Sequence, residues 1–147
     1  MKAGLGCAIG CMAVVLAGAS ASRGEVAEQA RDGVVVHISH ANDDPHRLLM
    51  GLSMASMMAE DHDVLVYFDI KGVEAVLKDA ADVSYAQFKP LKAQLAELER
   101  KGVPIMACPG CLKAAGKTLT DLAPGVQVAE KSRFFSFTKG RILTLDY

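Results

Sequence analysis

From residue 33 onward, short apolar runs alternate with amphipathic stretches. Gly33 opens Val34-Val35-Val36-His37-Ile38-Ser39, a near-continuous run rich in β-branched residues, as expected of a strand buried on both faces. The polar loop His40-Ala41-Asn42-Asp43 follows, and Asp44-Pro45 pairs an N-cap with a proline at the first helical position. From Pro45 to about Glu60 the chain carries Leu48, Leu49, Met50, Leu52, Met54, Met57 and Met58. That is more than one apolar stripe, and it predicts a largely buried helix. Asp63 to Asp69, around Val64-Leu65-Val66-Tyr67-Phe68, is the second strand. Gly72-Val73 leads into a short helix from Glu74 to about Asp79, and residues 80–89 read as irregular. Pro90 starts a helix with Leu91, Leu95 and Leu98 on one face, closed at Lys101-Gly102 by a glycine C-cap.

Val103 to Ala107 is the third strand, and a helix begins at Pro109 and ends or bends at Gly116. A turn at Leu119 to Leu122 and another at Ala123-Pro124-Gly125 precede a fourth strand, Val126-Gln127-Val128. Phe134, Phe135 and Phe137 fall in a short helix flanked by basic residues, and Arg141 to Leu145 forms a fifth strand. Strands alternating with helices predict an α/β fold, a parallel sheet covered on both faces. Ligands in such folds bind beyond the carboxyl ends of the strands.

At that edge, between the third strand and its helix, stands Cys108-Pro109-Gly110-Cys111. The first N–H groups of a helix lack internal partners and favour an anion, so a thiolate at Cys108 is stabilised and the thiol made reactive. Pro109 suits the first helical position, where its missing N–H costs nothing. A structural zinc site needs four ligands, and this motif offers two, with no second Cys pair and no His-x3-5-His after it. Haem attachment requires His after the second cysteine, and Leu112 stands there. A disulfide closing so short a loop adds little stability, which favours a chemical role for the pair.

His40 leaves the first strand at the same edge, so it is a candidate base or hydrogen-bond partner for Cys108, with a plain surface-loop histidine as the alternative. His37 and His40 are three apart on a strand and point to opposite faces, which makes them a poor metal pair. His37 belongs at the edge of the core, and His46 and His62 with solvent. Four methionines between Met50 and Met58 raise the possibility of Cu(I), which thioethers suit, but flexible core filling is the commoner use of such residues. The reading implies no metal and no organic cofactor.

Composition adds a compartment. Met1-Lys2 precedes an apolar, small-residue run to Ala21 that closes on Ala17-Gly18-Ala19 and Ala19-Ser20-Ala21. A positive start, an apolar middle and small residues at the cut predict a secretory signal peptide over residues 1–21, and hence the periplasm. The run is too rich in Gly and Ala for a permanent membrane span. Cys7 and Cys11 lie inside it without a lipobox. Residues 22–32 are a polar spacer, and residues 33–147 supply one domain. With 16 Lys and Arg against 17 Asp and Glu and no basic run, nucleic acid is a poor partner. Past the leader only Cys108 and Cys111 remain, and in an oxidising compartment they would pair unless a reductant or a persulfide keeps them open.

Taken in order, the chain resembles the DsrE/DsrF-like family, which includes sulfur-relay proteins. The resemblance spans most of residues 33–147. It rests on the Val-rich opening strand and polar loop, Phe68 followed by Gly72-Val73-Glu74, and the Leu-rich helix before Gly102-Val103-Pro104. It continues through Ala107-Cys108-Pro109-Gly110-Cys111, Leu119-Thr120-Asp121-Leu122 and Gly125-Val126-Gln127-Val128. The resemblance implies a three-layer α/β/α fold on a five-stranded parallel sheet, assembled into trimers or hexamers. By motif position it implies a persulfide on Cys108, with Cys111 as a second or resolving thiol, and a sulfur donor or acceptor as partner. The family's sulfur carriers are cytoplasmic and typically use one cysteine, whereas this chain has a leader and a pair. Three readings follow. The first is an exported sulfur-handling protein. The second is a periplasmic thiol–disulfide oxidoreductase, although the motif lies late in the chain, no Trp stands beside it, and the only later proline is Pro124. The third is a non-catalytic oligomeric binding module that uses the Met-rich helix.

Overall fold

The structure, a computed structural model, describes Met1 and residues 30–147. Residues 2–29, on which the signal-peptide cleavage site and most of the polar spacer fall, lie outside the described residues. The elements in chain order are β1 (Gly33–Ile38), α1 (Pro45–Met58), β2 (Asp63–Phe68), α2 (Leu91–Arg100), β3 (Ile105–Ala107), α3 (Pro109–Ala114), β4 (Val126–Val128), α4 (Arg133–Ser136) and β5 (Ile142–Asp146). Two 3-10 turns, Gly72–Val76 and Leu119–Asp121, complete the set.

All five strands run parallel in the order β4-β3-β2-β1-β5. This order dictates the layers. The chain steps one way from β1 to β4, and right-handed crossovers place α1, α2 and α3 on one face. It then returns past β1 to form β5, so α4 falls on the other face. The two cores follow this division. Leu48, Leu49 and Leu52 of α1, Leu91 and Leu98 of α2 and Leu112 of α3 share one cluster with Val34, Val36, Val64, Val66, Phe68 and Ile105. The second face is thin: Val35, Leu65 and Met106, packed against Phe134 and Phe137 with Tyr67 and Ala129. The expectation of a five-stranded parallel sheet with helices on both faces holds, and the second helical layer is a single short helix.

Local chemistry explains most boundaries. Asp44 caps α1, its Oδ1 accepting the Arg47 N–H at 3.1 Å. Gly102 closes α2 with φ +74°, and the Val103 N–H reaches back to the Leu98 carbonyl at 3.0 Å. Two expectations change. The short helix over Glu74–Asp79 is a 3-10 turn that ends at Val76, because Leu77 turns extended and bridges antiparallel to Leu122. The Lys78 N–H then bonds the Asp121 carbonyl instead of continuing a helix. Helix α1 buries one side through its leucines and Ala55, while Met50 and Met57 are exposed. The methionines therefore lie at the rim and outer face, and the centre of the core is leucine.

Candidate functional site

Residue Cys108 extends β3 by one step, its N–H bonding the Phe68 carbonyl at 2.9 Å. Its backbone is extended (φ −65°, ψ 118°), and its sulfur accepts the Cys111 N–H at 3.4 Å, so the thiol is itself the N-cap of α3. With Pro109 first, α3 starts without an N–H to spare at that position. Buried Leu112 anchors the helix, and Gly116 (φ +68°) ends it while the Lys117 N–H bonds the Leu112 carbonyl at 2.9 Å. A six-residue helix has little macrodipole. What favours an anion here is local: the first-turn N–H groups and the side chains around them.

Both cysteines are free, half-buried thiols. Burial opposes ionisation of Cys108, yet its polar neighbours, the Tyr67 hydroxyl first and then Cys111, whose N–H bonds the sulfur, and Gly110, outweigh it and bring its pKa below the ordinary thiol range. The pKa of Cys111 rises, through burial first and then through its donation to Cys108. The pair is asymmetric, with ionisation favoured at Cys108 over Cys111. The pKa of Tyr67 is pushed well up by burial and by the sulfur it serves, so it stays a phenol and a donor. No Trp stands beside the thiol, as the sequence indicates, but an aromatic partner does exist, and it is Tyr67.

Behind Tyr67 lies a charged row that crosses the sheet. His37 of β1 is in register with Tyr67 on one side and with Asp146 of β5 on the other. Its Nδ1 lies 2.7 Å from Asp146 Oδ1 and its Nε2 lies 2.8 Å from Asp69 Oδ1. Both ring nitrogens face carboxylates, which calls for an N–H on each. Partial burial works against the charge, and the two carboxylates overcome it and raise the histidine's pKa. The imidazole stacks on Tyr67 at 5.6 Å between ring centres, and Phe134 meets the phenol edge-on at 5.0 Å. Together with Val35, Phe135 and Asp69 these side chains line a cleft of about 420 Å³ on the thinly covered face.

The loop after β2 joins this row to the thiols. Gly72 passes so close to β1 that a Cβ would collide with the Ile38 carbonyl oxygen, and its N–H bonds the Ser39 carbonyl at 3.1 Å. This close approach seats Asp69 against His37. Ile70 adopts φ +46°, a strained conformation for a β-branched residue, and lies close enough to Cys111 to act on its ionisation.

His40 is otherwise occupied. Its Nδ1 faces Asp43 Oδ2 at 3.0 Å and its Nε2 faces Arg47 Nη1 at 3.4 Å. Asp43 also accepts the Ala41 N–H at 2.9 Å and pairs with Lys71 at 3.5 Å, so His40 belongs to a network that orders its own loop. The structure brings together Cys108 and Cys111, while the ring nitrogens of His40 face Asp43 and Arg47 within its own loop. His46 is exposed but stacks on Tyr85 at 5.1 Å, and half-buried His62 bonds Asp61. Neither His37 nor Tyr67 is singled out by its own strand. The available signal is that each is the fifth residue of a six-residue strand, in GVVVHI and DVLVYF, which pairs them once the register is known. Among the described residues no group of three or more His, Cys, Asp or Glu side chains is arranged to hold a metal ion.

The sequence profile of the DsrE/DsrF-like family matches residues 32–139. The chain belongs to this family. Two solved structures share the fold of this DsrE-like domain. The YchN protein of E. coli is 18% identical, with a TM-score of 0.58 over 78% of this chain and 98% of that one. MTH1491 of Methanobacterium thermoautotrophicum, a protein of unknown function, is 23% identical, with a TM-score of 0.58 over 78% of this chain and 99% of that one. Among proteins with curated descriptions, none matches the chain.

Proposed function

We propose that this DsrE-like protein handles sulfane sulfur outside the cytoplasm, with Cys108 as the carrier and Cys111 as the resolving thiol. The observation that carries the reading is the asymmetry of the pair: Cys108 caps α3 and accepts the Cys111 N–H at 3.4 Å, which favours ionisation at Cys108 over Cys111. Family membership supplies the sulfur-relay context. In the loading step the Cys108 thiolate attacks the terminal sulfur of a donor persulfide. A sulfur–sulfur bond forms to Cys108, the donor's sulfur–sulfur bond breaks, and the donor leaves as a thiolate. Tyr67 donates to the Cys108 sulfur throughout and remains protonated. Unloading has two routes. An acceptor thiolate can take the outer sulfur in the reverse sense. Alternatively, Cys111, as thiolate, attacks the inner sulfur of the Cys108 persulfide, closing a disulfide and expelling hydrosulfide. A dithiol reductant must then reopen that disulfide.

The partners are a sulfur donor and an acceptor, and export is part of the proposal because it rests on the leader-like residues 1–21. Assembly into a homo-oligomer, a trimer or hexamer, belongs to the same reading by family resemblance. Cyanolysis tests the carrier role. Protein loaded with polysulfide should release thiocyanate, Cys108→Ser should release none, and Cys111→Ser should retain at least as much as the parent. Equal release from all three variants would contradict the reading.

A second reading, thiol–disulfide exchange, is favoured by the same asymmetry, since exchange also needs one low-pKa thiol and one leaving thiol. Turnover of a model disulfide that requires both cysteines, without sulfur uptake, would select it.

A further inference from the structure

The hydrogen-bonded framework around His37 is more elaborate than the fold requires. Backbone ladders already join β5, β1 and β2. Yet the His37 imidazole is held between Asp146 at 2.7 Å and Asp69 at 2.8 Å. Its side chain is only about a quarter exposed, and Asp69 is less exposed still. This places a charge cluster at the carboxyl edge, where a neutral pair would suffice for packing. Its contacts run toward the thiols. The ring face lies on Tyr67, whose hydroxyl serves Cys108. The Asp69 carboxylate that grips the ring is followed directly by Ile70, whose backbone is strained and which neighbours Cys111.

We propose that His37 is a positioning residue for the thiol pair, anchored by its hydrogen bonds to Asp146 and Asp69 and, by its bond to Asp69 and its stacking on Tyr67, holding the groups that border Cys108. This rests on Cys108 being the nucleophile, and it is independent of what Cys108 attacks.

The groups that face His37 fix the sign. Asp146 comes from β5, Asp69 from the loop after β2, and Tyr67 from β2, while α4 contributes Phe134 and Phe135, which do not titrate. The nearby cation on α4, Arg133, is turned to the Gln127 side-chain oxygen. Protonated His37 with two carboxylates leaves one net negative charge, and deprotonation leaves two. The second uncompensated charge lies on the thiol side through Asp69 and disfavours an anion at Cys108. Thiolate formation at Cys108 and proton loss at His37 therefore oppose each other, and the thiol's reactivity profile carries an inflection that belongs to the histidine.

The test is the pH dependence of Cys108 alkylation by iodoacetamide in a Cys111→Ser background, compared with His37→Gln and Asp146→Asn. Loss of the cation in His37→Gln should raise the midpoint by roughly half to one pH unit, so that below it alkylation is about three- to tenfold slower. Asp146→Asn keeps the ring and serves if His37→Gln fails to fold. It should lower the His37 titration seen by NMR and move the histidine-linked inflection in the alkylation profile by the same amount. A His37→Gln profile that superimposes on the parent would overturn the proposal. So would an Asp146→Asn protein in which the histidine titration moves and the thiol profile does not. Iodoacetamide reads the thiolate and not sulfur transfer. A protein that shows the His37 linkage but takes up no sulfur would remove the sulfur-carrier reading and leave this one standing.

Discussion

At Cys108 burial and hydrogen bonding pull in opposite directions, and the hydrogen bonds prevail. Tyr67 is the first of those donors, so Tyr67→Phe isolates its share while keeping the ring against His37 and Phe134. A hydrogen bond to an ionised group has a net value of about 1.5–3 kcal/mol, and a half-exposed thiol realises the lower part of that range. The alkylation midpoint of Cys108 should rise by about one pH unit, and an unchanged midpoint would remove Tyr67 from the site. Asp43 offers a separate check. The Ala41 N–H pulls its carboxyl down to about 2 against the cost of burial, with His40 and Lys71 adding to the effect. The folded pKa lies below the ordinary aspartate value of 3.8, so this stabilisation is fully present above that value and is lost as pH falls toward 2. Asp43→Asn should melt lower than the parent near pH 6, and the gap should narrow by pH 2.5. A gap independent of pH would refute the assignment. At this scale the cysteines were legible because Cys-x-x-Cys is a local motif. Tyr67 and His37 were not, because their pairing depends on the β1–β2 register, and the loop partners of His40 depend on how residues 40–47 fold back on themselves.

Among the elements, the strands and the caps were the most readable, since apolar runs, Asp44 and Gly102 act over a few residues. The Glu74–Asp79 helix failed because an antiparallel bridge from Leu77 to Leu122, 45 residues away in sequence, competes for its backbone groups. The loop from Asp69 to Gly72 is the element on which the site depends most. Gly72→Ala places a methyl against the Ile38 carbonyl oxygen and should destabilise the fold by about 1–3 kcal/mol, read by urea unfolding. It should also displace Asp69 and Ile70, and so alter thiol alkylation. In contrast, Leu98→Ala in α2 removes a fully buried side chain remote from this loop. It should cost about 2–5 kcal/mol while leaving the Cys108 midpoint unchanged in the folded protein. If both variants lowered stability and neither touched the thiol, the loop would be scaffolding only.

For the molecule as a whole, strand order does more than organise a core. Because β5 returns beyond β1, three helices crowd one face and α4 alone covers the other. The row Asp146, His37, Tyr67 therefore opens on a cleft instead of lying under a full helical layer. Alternating strands and helices made the parallel sheet foreseeable, but the position of β5 follows from tertiary packing and has no local signature. All of the proposed chemistry depends on Cys108 accepting sulfur. Its most direct measurement is the intact mass of the purified protein after incubation with polysulfide or thiosulfate, for the parent, Cys108→Ser and Cys111→Ser. The expected result is a gain of one sulfur atom in Cys111→Ser and none in Cys108→Ser, with the parent carrying either the added sulfur or, once Cys111 has expelled it as hydrosulfide, the Cys108–Cys111 disulfide. A Cys111→Ser protein that gains no sulfur, in which no such disulfide can form, is the contrary result.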